Sequence, residues 1–318
     1  MVLMQHSLMS LVCVGVLSAC AASGTLRDTT PPTAGAALVD ARSGEHLAMT
    51  ELARRMGDVR MVFVPERHGD PAFHRAQLTV LKLLSDHHPG HISVGIEWLP
   101  RTAQPALDAW LGGSQGRDVL SNNVDWVNTW GHNFAAYAPI FEWAQAHAAP
   151  VFALNAPSGL ARAVARRGLE GLTQEESTEV TPLDSGTPAH RARFDALMNA
   201  AGAAHGGHTM SSERLARLYT AQLVWDEAMR DEVVRFLDAP AYSDQILVVF
   251  AGTGHIDFSH GIPERVRALR DAPFLIVRPV AHSEASAFIA DATNAPYPER
   301  RADVLWLLPE AATSDSAE

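Results

Sequence analysis

Short, continuous apolar runs recur along the chain, separated by longer stretches of helical period. The runs are Arg60 to Val64, Ile92 to Ile96, Val151 to Leu154, Gln245 to Ala251, Phe274 to Val277 and Val304 to Leu308. They are rich in Val, Ile, Leu and Phe and lack strict alternation, which predicts strands buried on both faces. Between them, apolar positions fall three and four apart. Such segments run from Pro71 through Leu78, Leu81 and Leu84, from Thr102 to Leu111, from Phe134 to His147, from Met210 to Leu237 and from Pro263 to Leu269. Pro71 stands in a first turn, where helices accept proline. Strands separated by helices predict an α/β fold, a mostly parallel sheet with helices on both faces. Ser158 to Leu237 has no strand-like run, so a smaller helical subdomain is expected around residues 158–212, inserted between the third and fourth strands. The main domain is expected to span 38–308. The polar residues 309–318 read as a disordered tail.

The N-terminus has a different pattern. Residues 1–19 carry no Asp, Glu, Lys or Arg, and Leu8 to Leu17 is almost wholly apolar. That length suits a signal peptide and is too short to span a bilayer. Leu17-Ser18-Ala19-Cys20 resembles the lipobox of bacterial lipoproteins, in which the cysteine is lipidated and becomes the new N-terminus. Residues 20–37, with Thr29-Thr30-Pro31-Pro32, then read as a flexible tether from Cys20. Ala21 after the lipid site is not an acidic retention signal, so an outer-membrane lipoprotein facing the periplasm is expected.

Composition removes several classes. The net charge is −11, which argues against nucleic acid as partner, since phosphate recognition needs a basic face. Lys82 is the only lysine, so anion recognition falls to Arg, His and backbone N–H. The two cysteines are Cys13 and Cys20. Cys13 lies in the signal and Cys20 is committed to lipid, which excludes a structural disulfide and cysteine chemistry. Metal ligands must come from His, carboxylate or Tyr.

The candidate chemistry follows the strands. Pro65-Glu66-Arg67-His68 comes after the first, Glu97-Trp98 after the second, Asn155 after the third and Gly252-Thr253-Gly254-His255 after the fourth. Ligands of open parallel sheets bind at the carboxyl ends of the strands. Glu66, His68, Glu97, Asn155 and His255 are therefore expected in one cleft. The helix Met210 to Leu237 is expected to close one side of it through Gln222 and Asp226.

These pieces resemble the ChaN-like haem-binding lipoproteins. The resemblance rests on Glu66-x-His68 followed by Asp70-Pro71-Ala72-x-His74-Arg75-x-Gln77, then Gly95-Ile96-Glu97-Trp98, Tyr137-x-Pro139 and Val151-x-Ala153-x-Asn155. Gln222-x-x-x-Asp226, Gly252-x-Gly254-His255 and Gly261-Ile262-Pro263-x-Arg265 complete it, over about residues 40 to 280. It implies haem binding, a role in haem or iron uptake, and a wider superfamily holding Tiki-type metalloproteases and erythromycin esterases. Those relatives carry paired G-x-x-H motifs. Here the first has Pro65 where Gly is usual, which removes one N–H.

Two functions follow. As a haem carrier, the chain would supply an axial Tyr oxygen or His nitrogen. The candidates are Tyr137, Tyr219, His205 and His208, and a homodimer sandwiching the haem is expected because one small domain rarely encloses a porphyrin. As a hydrolase, Glu66, His68, Glu97 and His255 would hold a divalent metal ion that activates water. A metal-free variant would use His68 as general base with Glu66 orienting it.

Overall fold

The structure, a computed structural model, describes residues 37–204, 210–294 and 300–309. The expected signal peptide, Cys20, most of the tether, His205, His208 and the tail beyond residue 309 lie outside the described residues.

Eight strands form one sheet in the order β2-β1-β8-β7-β3-β6-β4-β5. They are β1 (Ala37–Asp40), β2 (His46–Leu47), β3 (Met61–Glu66), β4 (Ile92–Pro100), β5 (Val151–Asn155), β6 (Ile246–Gly252), β7 (Phe274–Val280) and β8 (Val304–Leu307). Pairing is parallel from β8 through to β5. Only β1 is antiparallel, to β2 and β8. The mostly parallel sheet is as its apolar runs predict. The edge pair β1–β2 was not foreseen, because β2 has only two residues and β1 begins at Ala37, where the tether was expected to end.

Helices α1 (Met49–Gly57) and α2 (Pro71–His87) flank β3 in sequence. After β4 come α3 (Gln104–Leu111), α4 (Arg117–Asn123), α5 (Trp126–Thr129) and α6 (Phe134–Ala146). The stretch between β5 and β6 holds α7 (Leu160–Arg167), α8 (Gln174–Thr178), α9 (Pro188–Ala204) and the long α10 (Ser212–Asp238). The remaining helices are α11 (Thr253–Ile256), α12 (Ile262–Leu269) and α13 (Ala285–Asn294). Among the described residues no helix is long and apolar enough to cross a membrane.

The strands are apolar throughout because each face has its own core. Val62, Val64, Val94, Ile96, Trp98, Val248 and Phe250 pack with α2 and α6 on one face. Met61, Phe63, Leu247, Val249, Ala251 and Ile276 pack with α10 and α12 on the other. Side chains alternate in direction along a strand, so Glu66 shares the α2 face with Val64, whereas Glu97 shares the α10 face with Gly95. Sequence order matters as well. β3 and β4 are consecutive in the chain, yet β6 lies between them. The chain thus reverses its winding beside β3, and a crevice opens at the strand ends there.

Local signals position the helices that meet this crevice. Asp70 caps α2 by accepting from the N–H of Ala72 at 2.9 Å. This sets His74 about one turn and Gln77 about two turns into the helix. Ser211 caps α10, whose 27 residues reach from the rim down the α10 face. Gly261, at the start of α12, packs its Cα against the His255 backbone. A Cβ there would press into the His255 carbonyl. Gly261→Ala is therefore expected to cost about 1–3 kcal/mol, the usual range for overpacking. A thermal midpoint unchanged from wild type would show that the turn relaxes freely.

Candidate functional site

The carboxyl ends of β3, β6, β4 and β5 stand side by side, and each delivers a polar group to one rim. Glu66 ends β3 and is 1% exposed. Its Oε1 accepts from Nδ1 of His68 at 2.8 Å. Its Oε2 accepts from Gln77 Nε2 and Trp98 Nε1, each at 3.1 Å, with His74 Nδ1 3.5 Å away. A buried carboxylate needs this many donors to offset its lost hydration.

Glu97 sits on the other face of the sheet. Its Oε2 accepts the Gly252 N–H at 2.5 Å, and its Oε1 lies 3.3 Å from Nε2 of His255. The other ring nitrogen of His255 donates to Asp226 Oδ1 at 2.6 Å. Asp226 is wholly buried on α10. Gln222, one turn earlier, donates to Asp226 Oδ1 and to the Gly254 carbonyl, both at 3.3 Å. Asn155 has a different task. Its Nδ2 donates to the Glu97 carbonyl at 2.8 Å, so it braces the backbone under Glu97.

The result is a row of alternating acids and imidazoles, Glu66, His68, Glu97, His255 and Asp226. The His68 ring lies across Gly252, where a Cβ would come within 2.8 Å of its Cε1 and 3.5 Å of Glu97 Oε2. A side chain at 252 would thus push the His68 ring from its place.

Charge follows geometry. Burial would depress the His255 imidazole, but Glu97 and Asp226 override it and push it up to about 10. Burial would raise the Glu97 carboxyl, but His255, His68 and the Gly252 N–H hold it down at about 2. His68 is opposed by burial and raised by its hydrogen bond to Glu66 and by the charge of Glu97. His255 is therefore an imidazolium clamped between two carboxylates at neutral pH.

A cavity of about 280 Å³ opens over the row, lined among others by His68, His255, Trp130, His132, Asn155 and Trp225. The Trp130 ring stands edge-on to His68 at 4.8 Å, and the His132 ring is 5.6 Å from it. Burial and the neighbouring His68 lower the His132 pKa, so this exposed ring is neutral at pH 7.

The predicted cleft residues Glu66, His68, Glu97, Asn155 and His255 are thus brought together, and Gln222 and Asp226 reach the row through Gly254 and His255, but neither lines the cavity over it, and Gln222 lines a separate one. The four proposed metal ligands meet as hydrogen-bonded pairs. Among the described residues no group of three or more His, Cys, Asp or Glu side chains is arranged to hold a metal ion. Tyr137 is fully buried behind the row. Its hydroxyl accepts the Gly69 N–H at 2.9 Å, its ring packs 4.1 Å from His74, and burial together with the Glu66 charge raises its phenol well above the usual value. Tyr219 is 5% exposed and hydrogen-bonds His190 Nδ1 at 3.3 Å. It shares the buried face of α10 with Gln222 and Asp226 but reaches a different neighbour.

Sequence reasoning passed over His132 and Trp225. His132 lies in a polar turn before α6, with no strand before it, so a search at strand ends misses it. Trp225 is adjacent in sequence to Asp226 and was hidden among helix residues.

Residues 52–266, more than half the chain, match the family described as haem-binding uptake, Tiki superfamily, ChaN. The chain belongs to this family. Among solved structures, ChaN of Campylobacter jejuni, described as binding heme cofacially, is 14% identical, with 86% of this chain and 96% of that chain covered and a TM-score of 0.63. An erythromycin esterase, EreC, in its open conformation is 13% identical, with 83% and 95% covered and a TM-score of 0.51. At these identities the likeness is one of fold. No curated protein matches the chain.

The charged row has a pH signature. The raised His255 contributes stability that is whole below 6.5, its ordinary pKa, and is lost as pH rises through about 10. The depressed Glu97 contributes stability that is whole above 4.5 and is lost as pH falls through about 2. Thermal midpoints are expected to be highest between these ordinary values and to fall on both sides. Asp226→Asn removes one carboxylate from a buried pair. It is expected to cost about 3–5 kcal/mol near pH 6 and to bring the His255 midpoint, read by NMR, well below that of the wild type. An unmoved midpoint would remove Asp226 from the clamp.

Proposed function

We propose that this protein binds haem and serves haem or iron acquisition as an outer-membrane lipoprotein, anchored through Cys20 and facing the periplasm. The observation that carries the reading is the match of residues 52–266 to a haem-binding uptake family. The cleft supports it with a suitable donor set. Bound haem would supply an iron centre that takes axial nitrogen or oxygen ligands. His132 is an exposed, neutral imidazole at the cavity mouth, and His68, Trp130 and Trp225 stand around it.

The tyrosine candidates are less available. Tyr137 and Tyr219 are both buried and hydrogen-bonded, and burial raises both phenols, which opposes the phenolate an iron ligand requires. His205 and His208 remain candidates on the segment after α9. A cavity of about 280 Å³ lies at the low edge of small-molecule sites, roughly 300–1,000 Å³. A porphyrin seated there would protrude, and a second copy of the chain would cover its outer face, which is the argument for a homodimer.

The test is a titration with ferric haem followed by Soret absorbance. A saturable, shifted band is expected, with the shift lost in His132→Ala and kept in Tyr137→Phe and Tyr219→Phe. Loss in a tyrosine variant alone would move the iron ligand to that tyrosine. The absence of a saturable band would remove haem as the ligand.

One observation favours a second reading. Glu66 holds Nδ1 of His68 at 2.8 Å, and the His68 ring lines the cavity, the arrangement of an oriented general base. This corresponds to the metal-free hydrolase. Ester hydrolysis that disappears in His68→Ala would support it, and turnover unchanged in that variant would dismiss it.

A further inference from the structure

The strand-end cavity is walled from both faces of the sheet. Trp130 packs against the α2-face core, and the His132 ring lies 5.5 Å from it. The other wall is built by Arg162 of α7 and Trp225 of α10. Leu160, Ala161 and Val164 of α7 pack with Ala221, Val224 and Ala228 of α10 in a small core of their own, which fixes α7 in place. Arg162 stands among those apolar positions but is exposed. Its side chain is thus turned away from the small core and lines the cavity instead.

The charges of the cavity differ between floor and mouth. His68, Glu97 and His255 form the floor, with Glu66 and Asp226 hydrogen-bonded to the two imidazoles from behind. Even with both imidazoles charged, three carboxylates stand against two cations, so the floor repels an anion. The Asn155 amide is spent on the backbone, donating to the Glu97 carbonyl and accepting the Ala156 N–H. Arg162 is the only Arg or Lys among the described lining residues. Its guanidinium has no ion pair or hydrogen bond among the described residues, whereas Arg167 on the same helix is held by Glu176. The chain as a whole carries a net charge of −11, and salt confines any attraction to about 8 Å. An anionic group at this cavity therefore needs a cation at the mouth itself, and Arg162 is that cation.

We propose that Arg162 is the carboxylate-recognition residue of the strand-end cavity, taking a propionate of haem and turning the acid edge of the porphyrin toward the α7–α10 wall. The inference rests on the haem reading above. The forked donors of a guanidinium match the two oxygens of a carboxylate, and the repulsive floor leaves the mouth as the place where an acid group gains energy. The indoles of Trp130 and Trp225 offer apolar surface to the macrocycle. Arg162 acts on the periphery of the ligand and leaves the axial position of the iron to another residue.

The test is Soret titration of the full chain with ferric haem and with its dimethyl ester, in which both propionates are capped and neutral. Haem is expected to bind about tenfold more tightly than the ester, the value of roughly one charge-assisted contact. Arg162→Met keeps most of the stem and, at an exposed position, leaves the fold intact. It is expected to weaken haem about tenfold, to leave the ester unchanged, and to leave the Soret maximum of bound haem at its wild-type position. Arg42→Met, in the turn between β1 and β2 at the far edge of the sheet, is expected to change none of these. Equal affinity for haem and ester in the wild-type chain, haem binding unaffected by Arg162→Met, an equal loss of haem and ester in that variant, or a matching loss in Arg42→Met would each overturn the proposal and leave the haem reading standing. A moved Soret maximum in Arg162→Met would overturn it as well, because the residue would then act at the iron. No saturable band with haem would remove the haem reading and the proposal together.

Discussion

The clamped imidazolium of His255 is the constraint on which the rest of the site depends. One nitrogen is bound to Glu97 from β4 and the other to Asp226 from α10, so a single ring ties a strand to the long helix beyond it. Neither carboxylate is tolerable alone in that environment, and neither is the cation. Together they are neutralised in alternation. Glu97 also takes the Gly252 N–H, so the turn after β6 is drawn to the same point. A buried charge cluster of this kind adds little net stability compared with apolar packing, but it allows very few alternative arrangements. That selectivity explains how side chains from five distant segments keep one geometry.

Sheet topology supplies the meeting place. β6 enters between β3 and β4 after the chain has already passed through β5 and four helices. Glu66 and Glu97 emerge on opposite faces because they occupy opposite parities of their strands. The Glu66 side of the row is therefore held by α2, through Gln77, and the Glu97 side by α10, through Asp226. His68, just past the end of β3, bridges the two faces over the bare Cα of Gly252. The fold is shared with an erythromycin esterase and with ChaN of Campylobacter jejuni, and in this chain it fixes where the side chains of the row converge.

Much of this was legible in the chain. Apolar runs without alternation signalled strands covered on both faces, and each strand from β3 to β8 lies where such a run predicted it. The polar residue after each run marked the rim, because strand ends in a parallel sheet are the places where a side chain leaves the core. Glu97 was marked by its apolar neighbours, and burial requires such a carboxylate to have partners. His132 was not legible. It reaches the cavity from a turn on the α5–α6 side, and no local pattern encodes that approach. The fate of Tyr137 was also hidden. An aromatic-rich helix suggests a ligand wall or a core with equal ease, and only packing against His74 and Trp98 places its ring in the core.

By itself, then, the sequence determined the layers, the parallel sheet and the set of groups that gather at its edge, because periodicity and burial are local properties of the chain. Tertiary structure alone decided the pairing of those groups. Glu66 with His68 is a contact two residues apart, but Glu97 with His255, and Asp226 with the same ring, depend on which strand is inserted beside which and on how a long helix crosses the rim. Such contacts join residues far apart in the chain, and their energies, set by distance and desolvation, exist only once the fold has closed.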